Sequence, residues 1–341
     1  MRLSVLDQSP AIAGHEPAEA IGASLALARH CDALGYNRYW LSEHHNSSSI
    51  VGSAPEVLLG AVAATTNRIR IGSAGIMLPH YSALKVAEQF RVLEALAPGR
   101  VDLGVGRAPG SDRLTARALN PHASPGAGDF PQQVLDLRDW VEGRRMDPGH
   151  PYRSISAQPQ GASSPAMWIL GSSNYGAQLA AHLGLPYAFA YFFSDGKGVE
   201  EALDLYRSNY QPSERYPHPQ ATICVWALAC DSGQEAARQL MTREHWRVRF
   251  EQGLLGPLVS PEDAAAYPYS TAELDRIGQM RRTAMAGTAG QVAATLRALA
   301  ARLDLYELVV NTWAYEREVR LRSYSLLAEA FDLQPEGPWK R

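Results

Sequence analysis

The chain has 341 residues, 46% hydrophobic and 20% charged, with a formal net charge of −3. A chain of this length buries about three quarters of its unfolded surface, so core size sets no limit. It shows no run of like charges suited to nucleic acid or an anionic membrane, no apolar stretch near the roughly 20 residues of a bilayer span, and no signal-peptide core behind Met1. Three scattered cysteines, Cys31, Cys224 and Cys230, argue against a disulfide framework or a structural zinc site, and a cytoplasmic protein with free thiols is expected.

Strand and helix signals alternate along the chain. Arg2–Leu6 alternates as a strand does, and Pro17–Leu34 has helical apolar spacing that stops at Gly35. Arg38–Leu41 is a second strand, and Pro55–Thr66 a helix with Pro in its first turn. Ile69–Gly72, the helix Ser82–Leu96 and the strand Val101–Val105 follow. The Gly-, Pro- and His-rich stretch 106–128 is too long for an ordinary connection and reads as a functional insertion. Next come a helix over Pro131–Glu142, strand Met167–Leu170, helix Tyr175–Leu183, strand Tyr187–Ala190 and a helix near Val199–Asn209. Thr222–Ala229 reads as one long seventh strand, and Gly233–Phe250 as a helix. Residues 251–288 break the rhythm and carry one short helix. Helix Gly290–Arg302, strand Glu307–Asn311 and helix Arg317–Phe331 close the chain.

Eight strands alternating with helices imply parallel pairing through right-handed crossovers. The expected fold is a single α/β domain over 1–341, a (β/α)₈ TIM barrel with insertions after strands 4 and 7. An open doubly wound sheet would place a Gly-rich turn after the first strand, where Asp7-Gln8-Ser9-Pro10 stands instead.

In a barrel the site lies at the C-terminal ends of the strands. Glu43-His44-His45 follows strand 2, and alternation lets one histidine face the mouth as a proton carrier. Two satisfied polar loop residues are the alternative. No metal is expected, because adjacent histidines rarely chelate one ion and no HExxH is present. Gly104-Val105-Gly106-Arg107-Ala108-Pro109-Gly110 is not a nucleotide fingerprint, since Pro109 stands at the third glycine. Arg107 at a strand end suits a phosphate or carboxylate, or else a surface ion pair. Gly171-Ser172-Ser173-Asn174 joins a strand directly to a helix and offers free N–H groups and hydroxyls to a phosphate; plain N-capping is the alternative. The aromatic run Tyr191-Phe192-Phe193 suits either a planar ligand or the core. With no nucleophile elbow, P-loop or CxxC, the chemistry points to a bound phosphate-bearing cofactor.

These residues together resemble the bacterial luciferase-like flavin monooxygenases. The resemblance is densest over 38–46, 52–81, 85–112 and 168–190, and it looks closest to the stand-alone luciferase-like oxidoreductases found beside natural-product pathways. It implies the same barrel and a reduced, diffusible FMN. His44 matches the family's active-site histidine, and Ala74-Gly75 a pair joined by a non-proline cis peptide under the flavin ring. Arg107, Ser172 and Ser173 fall where the family holds the phosphate. The implied flavin-binding set is Ala74, Gly75, Ile76, Arg107, Gly171, Ser172, Ser173, Asn174 and Tyr175. Gly106 stands where luciferase has a reactive cysteine, so nothing carries over from that thiol.

The resemblance further implies a two-component monooxygenase that uses reduced FMN and O₂ through a C4a-(hydro)peroxyflavin to oxidise a small organic substrate. A separate NAD(P)H:flavin reductase and a homodimer are implied with it. Residues 251–288 are the candidate lid and 106–128 the opposite rim. Tyr81, His80, Asp112, Tyr191 and Trp313 are strand-end candidates for substrate contact. The competing readings are hydride transfer with F420, a non-catalytic flavin-binding protein and, more distantly, a metal-dependent barrel hydrolase.

Overall fold

The structure is a computed structural model that describes residues 1–108, 110–121 and 129–335. Eight parallel strands close into a barrel: β1 (Arg2–Asp7), β2 (Arg38–Leu41), β3 (Arg70–Met77), β4 (Val101–Gly106), β5 (Ala166–Gly171), β6 (Tyr187–Phe189), β7 (Ala221–Trp226) and, after a two-strand side ribbon of β8 (Leu228–Cys230) and β9 (Ala286–Thr288), β10 (Glu307–Asn311). β10 closes the ring between β7 and β1, with Val5 opposite Val310 and Val310 opposite Val225. The first helices of the outer layer are α1 (Glu19–Leu34), α2 (Pro55–Thr65), α3 (Ala83–Leu96), α4 (Arg113–Leu119), α5 (Phe130–Glu142) and α6 (Asn174–Leu183). They are followed by the single turn α7 (Tyr191–Ser194), then α8 (Val199–Ser208), α9 (Gly233–Glu251), α10 (Pro261–Ala266), α11 (Thr271–Thr283), α12 (Ala289–Arg302) and α13 (Arg317–Ala330). Among the described residues no helix is long and apolar enough to cross a membrane. Gly35 ends α1 as expected, at φ 86°, with its N–H on the Cys31 carbonyl.

The expected barrel is observed, with three corrections. The long seventh strand is two strands. After Trp226 the chain leaves the barrel, and Leu228 donates to the Met285 carbonyl at 2.9 Å to start the β8–β9 ribbon. Both pieces are buried and apolar, so they read as one run. Residues 251–288 hold two helices and a strand rather than one short helix; the capping box of Ser270 with Glu273 starts α11. The expected 106–128 insertion contains α4, started by Asp112 accepting from the Leu114 and Thr115 N–H groups at 2.8 and 3.0 Å. Residues 109 and 122–128 of that insertion, and 336–341, lie outside the described residues.

Alternation along the strands sorts the barrel interior into layers. The floor is ionic. Asp102, fully buried, accepts from Arg38 at 2.7 Å, from Arg70 at 2.6 and 3.1 Å, and from the Trp40 indole at 3.0 Å. Arg38 also donates to Glu307 at 2.9 Å, and Ser4 to the same carboxylate. Above it lies an apolar layer of Leu6, Trp40, Trp168, Ala188, Cys224 and Val309, with the two indoles edge to face at 5.2 Å. Outward residues such as Leu3, Tyr39, Leu103 and Tyr187 join the larger core between barrel and helices. A second buried pair ties the chain's ends: Arg320 of α13 donates to Asp7 at 2.7 Å, where the Tyr39 hydroxyl also lands at 2.5 Å.

Burial alone would raise the Asp102 carboxyl, but Arg38 and Arg70 hold it below its ordinary 3.8. Its folded value is depressed, so its stabilisation is present above the unfolded value near pH 4 and fades as pH falls through that range. Asp102→Asn leaves two arginines beside a neutral amide, and we expect a loss of about 3–5 kcal/mol in urea unfolding at pH 7. The gap between wild type and variant should narrow from pH 5 to pH 3. A gap independent of pH would contradict the charged floor.

Candidate active site

Above the apolar layer the strand ends open into a cavity of about 310 Å³, bordered by Gln8, Trp40, His44, Ala74, Gly75, Gly106, Arg107, Ser172, Ser173 and Tyr175 among others. The ledge on its β3 side comes from a bulge. Ser73 pairs with Leu103 and Ile76 with Val105, so β3 carries one extra residue there. The peptide between Ala74 and Gly75 in that bulge is cis. A Cβ on Gly75 would sit 2.7 Å from the Gly104 carbonyl oxygen, so only glycine lets β3 lie this close to β4. A Cβ on Gly106 would instead meet no atom within 4 Å, leaving the space over the ledge free for a planar ring.

The opposite end of the cavity is built for an anion. Ser173 is the N-cap of α6, yet its hydroxyl caps no helix N–H. The leading N–H groups of α6 and the Ser172 and Ser173 hydroxyls therefore border the cavity without an internal cap. The Arg107 guanidinium stacks 3.9 Å from the Tyr175 ring centroid and forms no ion pair among the described residues. A flat, open space at one end and an uncapped helix start beside a free guanidinium at the other fit the ring and phosphate of a flavin mononucleotide.

His44 stands where this cavity meets a second one of about 420 Å³; Gln8, Gly110, Phe192 and Phe193 border both. The loop that carries it is fixed from behind. Glu43, almost fully buried, accepts from the Tyr81 hydroxyl at 2.6 Å and the Met77 N–H at 3.0 Å, and lies 2.7 Å from His45 Nε2. Alternation thus sends Glu43 and His45 to one side and His44 to the other. Burial pushes the His44 imidazole below its ordinary 6.5, against the opposite pull of the Gly110 backbone and the Glu43 carboxylate. A mostly neutral imidazole at this wall can give a proton from one nitrogen and take one at the other.

The structure gathers His44, Ala74, Gly75, Arg107, Gly171, Ser172, Ser173 and Tyr175 around the first cavity. Ile76 packs in the outer core instead, and Asn174 turns to Glu201 at 2.6 Å. Of the substrate candidates, Asp112 and Trp313 border the second cavity. Tyr81 holds Glu43, His80 packs edge-on to His45 and Tyr81, and Tyr191 opens the α7 turn beside a small gap with Asp195. The α9 face formed by Arg243, Trp246, Arg247 and Phe250, which follows no strand end directly, also borders the second cavity. Their i, i+3, i+4, i+7 spacing was the available signal. Trp226 and Asn311, the last inward residues of β7 and β10, were also passed over.

A family model described as luciferase-like monooxygenase matches residues 1–304. The chain is 39% identical over 333 residues to a luciferase-like monooxygenase of Escherichia coli (strain K12), covering 98% of this chain and 97% of the relative. It is 36% identical over 332 residues to the N-acetyl-S-alkylcysteine monooxygenase of Bacillus subtilis (strain 168), covering 97% and 98%. Among solved structures, apo-MsnO8 matches with a TM-score of 0.89 at 35% identity, covering 98% of this chain and 99% of that one. The fold alone is shared with two more distant proteins. One is the oxygenating constituent of 3,6-diketocamphane monooxygenase from Pseudomonas putida, in complex with FMN (TM-score 0.69, 15% identity, 97% of each chain). The other is an F420-dependent secondary alcohol dehydrogenase (TM-score 0.66, 13% identity, 98% and 99%). With the family model spanning most of the chain and relatives matching nearly end to end, this chain belongs to the luciferase-like monooxygenase family.

Proposed function

We propose that the protein is the oxygenating half of a two-component system that binds reduced FMN in the first cavity and oxidises a small organic molecule held in the second. The observation that carries this reading is the position of His44 in the wall common to the two chambers. Reduced FMN, when bound, supplies two electrons to O₂, so that one oxygen atom reaches the substrate and the other leaves as water. The protein's part is to hold, orient and keep dry. Arg107, Ser172, Ser173 and the start of α6 take the phosphate, and Ala74–Gly75 supports the ring. His44 hydrogen-bonds at the reacting face and moves a proton there.

Water exclusion falls to the loops above. Leu255 borders the second cavity, and the segment behind it is pinned to the β1–α1 loop by two backbone hydrogen bonds of 2.8 Å between Leu258 and Ala11 and Ala13. Leu255 thereby gives the segment 251–288 a place in the wall of the second cavity, in keeping with a shielding role. In this reading a separate NAD(P)H:flavin reductase supplies the reduced flavin. Three free, buried thiols fit a reducing compartment such as the cytoplasm.

The test is rapid mixing of the protein and anaerobic FMNH₂ with oxygenated buffer. We expect a blue-shifted flavin spectrum that outlives the re-oxidation of free FMNH₂. Re-oxidation at the free-solution rate, with and without candidate substrates, would contradict the proposal, as would oxygen-independent hydride transfer with F420. His44→Ala should keep FMN affinity, read by calorimetry, and shorten that transient about tenfold, the worth of one hydrogen bond. In a ¹H NMR titration the resonance lost in His44→Gln should have its midpoint below 6.5 in wild type. A midpoint above 6.5 would show a charged imidazole and contradict the neutral role.

A further inference from the structure

The second cavity has aromatic walls and one feature those walls do not explain. Arg243 borders it from α9, with its guanidinium 4.3 Å from the centroid of the Trp226 ring. Among the described residues this guanidinium makes no hydrogen bond and no ion pair. Asp195 and Glu244, whose charges reach it, are engaged elsewhere, as is Asp112 on the same cavity, which is held by Asn46 and Thr115. Glu244 is held by Arg281 at 2.7 and 2.8 Å, and Asp195, which attracts Arg243 through space, sits 3.7 Å from Arg276. Arg247, one residue row along the same face, is different. It donates to the Phe193 carbonyl at 2.7 Å and to Glu251 at 2.7 Å, so it is spoken for.

A guanidinium in a largely apolar setting without an anion is costly, and folded proteins normally pair it. Burial and the charge of Arg247 lower Arg243 to about 10, which still leaves it protonated at neutral pH. It is therefore a standing cation without a hydrogen-bonded partner among the described residues, at the border between the second cavity and the small gap that Asp195 also lines. Among the described residues the indole nitrogens of Trp226, Trp246 and Trp313 and the Asn311 Oδ1 in the same wall also find no hydrogen-bond partner. A planar fork of N–H donors matches a carboxylate in two parallel hydrogen bonds, and its stacking on Trp226 fixes the plane. A phosphate would ask for more: the helix start at the first cavity is uncapped, whereas the one bordering the second, that of α4, is already capped by the Asp112 carboxylate, and the Ser47 and Ser49 hydroxyls there bond backbone groups.

We infer that the second cavity selects an organic carboxylate, with Arg243 gripping the acid group and the apolar body lying between Phe192, Trp246 and Trp313 toward His44. This rests on the second cavity being the substrate chamber of the monooxygenase. The two ends of the site would then each hold an anion, the cofactor phosphate at Arg107 and the substrate acid at Arg243.

The experiment is a binding screen of matched pairs, phenylacetate, 4-phenylbutyrate and octanoate, each beside its primary amide, against FMN-saturated protein. Saturation-transfer NMR and tryptophan quenching report binding, and a flavin fluorescence titration reports FMN affinity separately. The acids should bind at least about tenfold more tightly than their amides. Arg243→Gln should abolish that preference and Arg243→Lys keep part of it, with FMN affinity unchanged in both. Equal binding of acid and amide, no binding of any acid, or a preference that survives Arg243→Gln would overturn the inference. Loss of FMN binding by wild type, with the acid preference still dependent on Arg243, would overturn the flavin reading and leave the acid subsite standing.

Discussion

The interior of this barrel is organised by one buried charge. Asp102 cannot remain ionised without Arg38 and Arg70, and the two arginines cannot be buried without Asp102 and Glu307. Together they draw the starts of β2, β3, β4 and β10 into a polar plug at the floor. Arg38 also presents its guanidinium 4.8 Å from the Trp168 ring, which joins the plug to the apolar layer above it. Two layers of side chains are thereby used up. Whatever space the barrel encloses has to open at the C-terminal ends of the strands, next to the loops.

That space takes its shape from how closely β3 and β4 approach. Ser73 donates to the Gly104 carbonyl at 2.8 Å, and the extra residue of the bulge turns Ala74 and Gly75 into the cavity. Gly106 beside them adds no side chain. The consequence is a flat floor at one end and the strand-to-helix turn before α6 at the other. The two cavities meet at a common wall of Gln8, His44, Gly110, Phe192 and Phe193, and α9 borders the second one with Arg243, Trp246, Arg247 and Phe250. The hub of Glu43, Tyr81 and His45 fixes the height of that wall through hydrogen bonds, with His80 packed edge-on against it.

Much of this was legible in the sequence. The barrel followed from the alternation of strands and helices, and β2 and β10 were bounded to the residue, since each is a short run between polar loops. His44, Arg107 and the Ser172–Ser173 turn stood out because each follows a strand directly. The ledge at Ala74–Gly75 was readable only through the resemblance, because nothing in a local pattern announces a cis peptide. The second chamber was legible only at its strand-end residues Asp112 and Trp313, for a different reason. Its wall comes from the long helix α9, whose place over the mouth depends on the turn of the chain at Ala227 and on the β8–β9 ribbon. Asn174 and Ile76 show the converse: neighbours of site residues that alternation or helical phase turns away.

The most direct measurement is a crystal structure of the protein with FMN bound. We expect the isoalloxazine on the Ala74–Gly75 ledge, over the open space at Gly106, and the phosphate between Arg107 and the start of α6, with the second chamber left free beside His44. A flavin ring lodged against Trp246 and Trp313, or a phosphate on Arg243, would reverse the two chambers and contradict it.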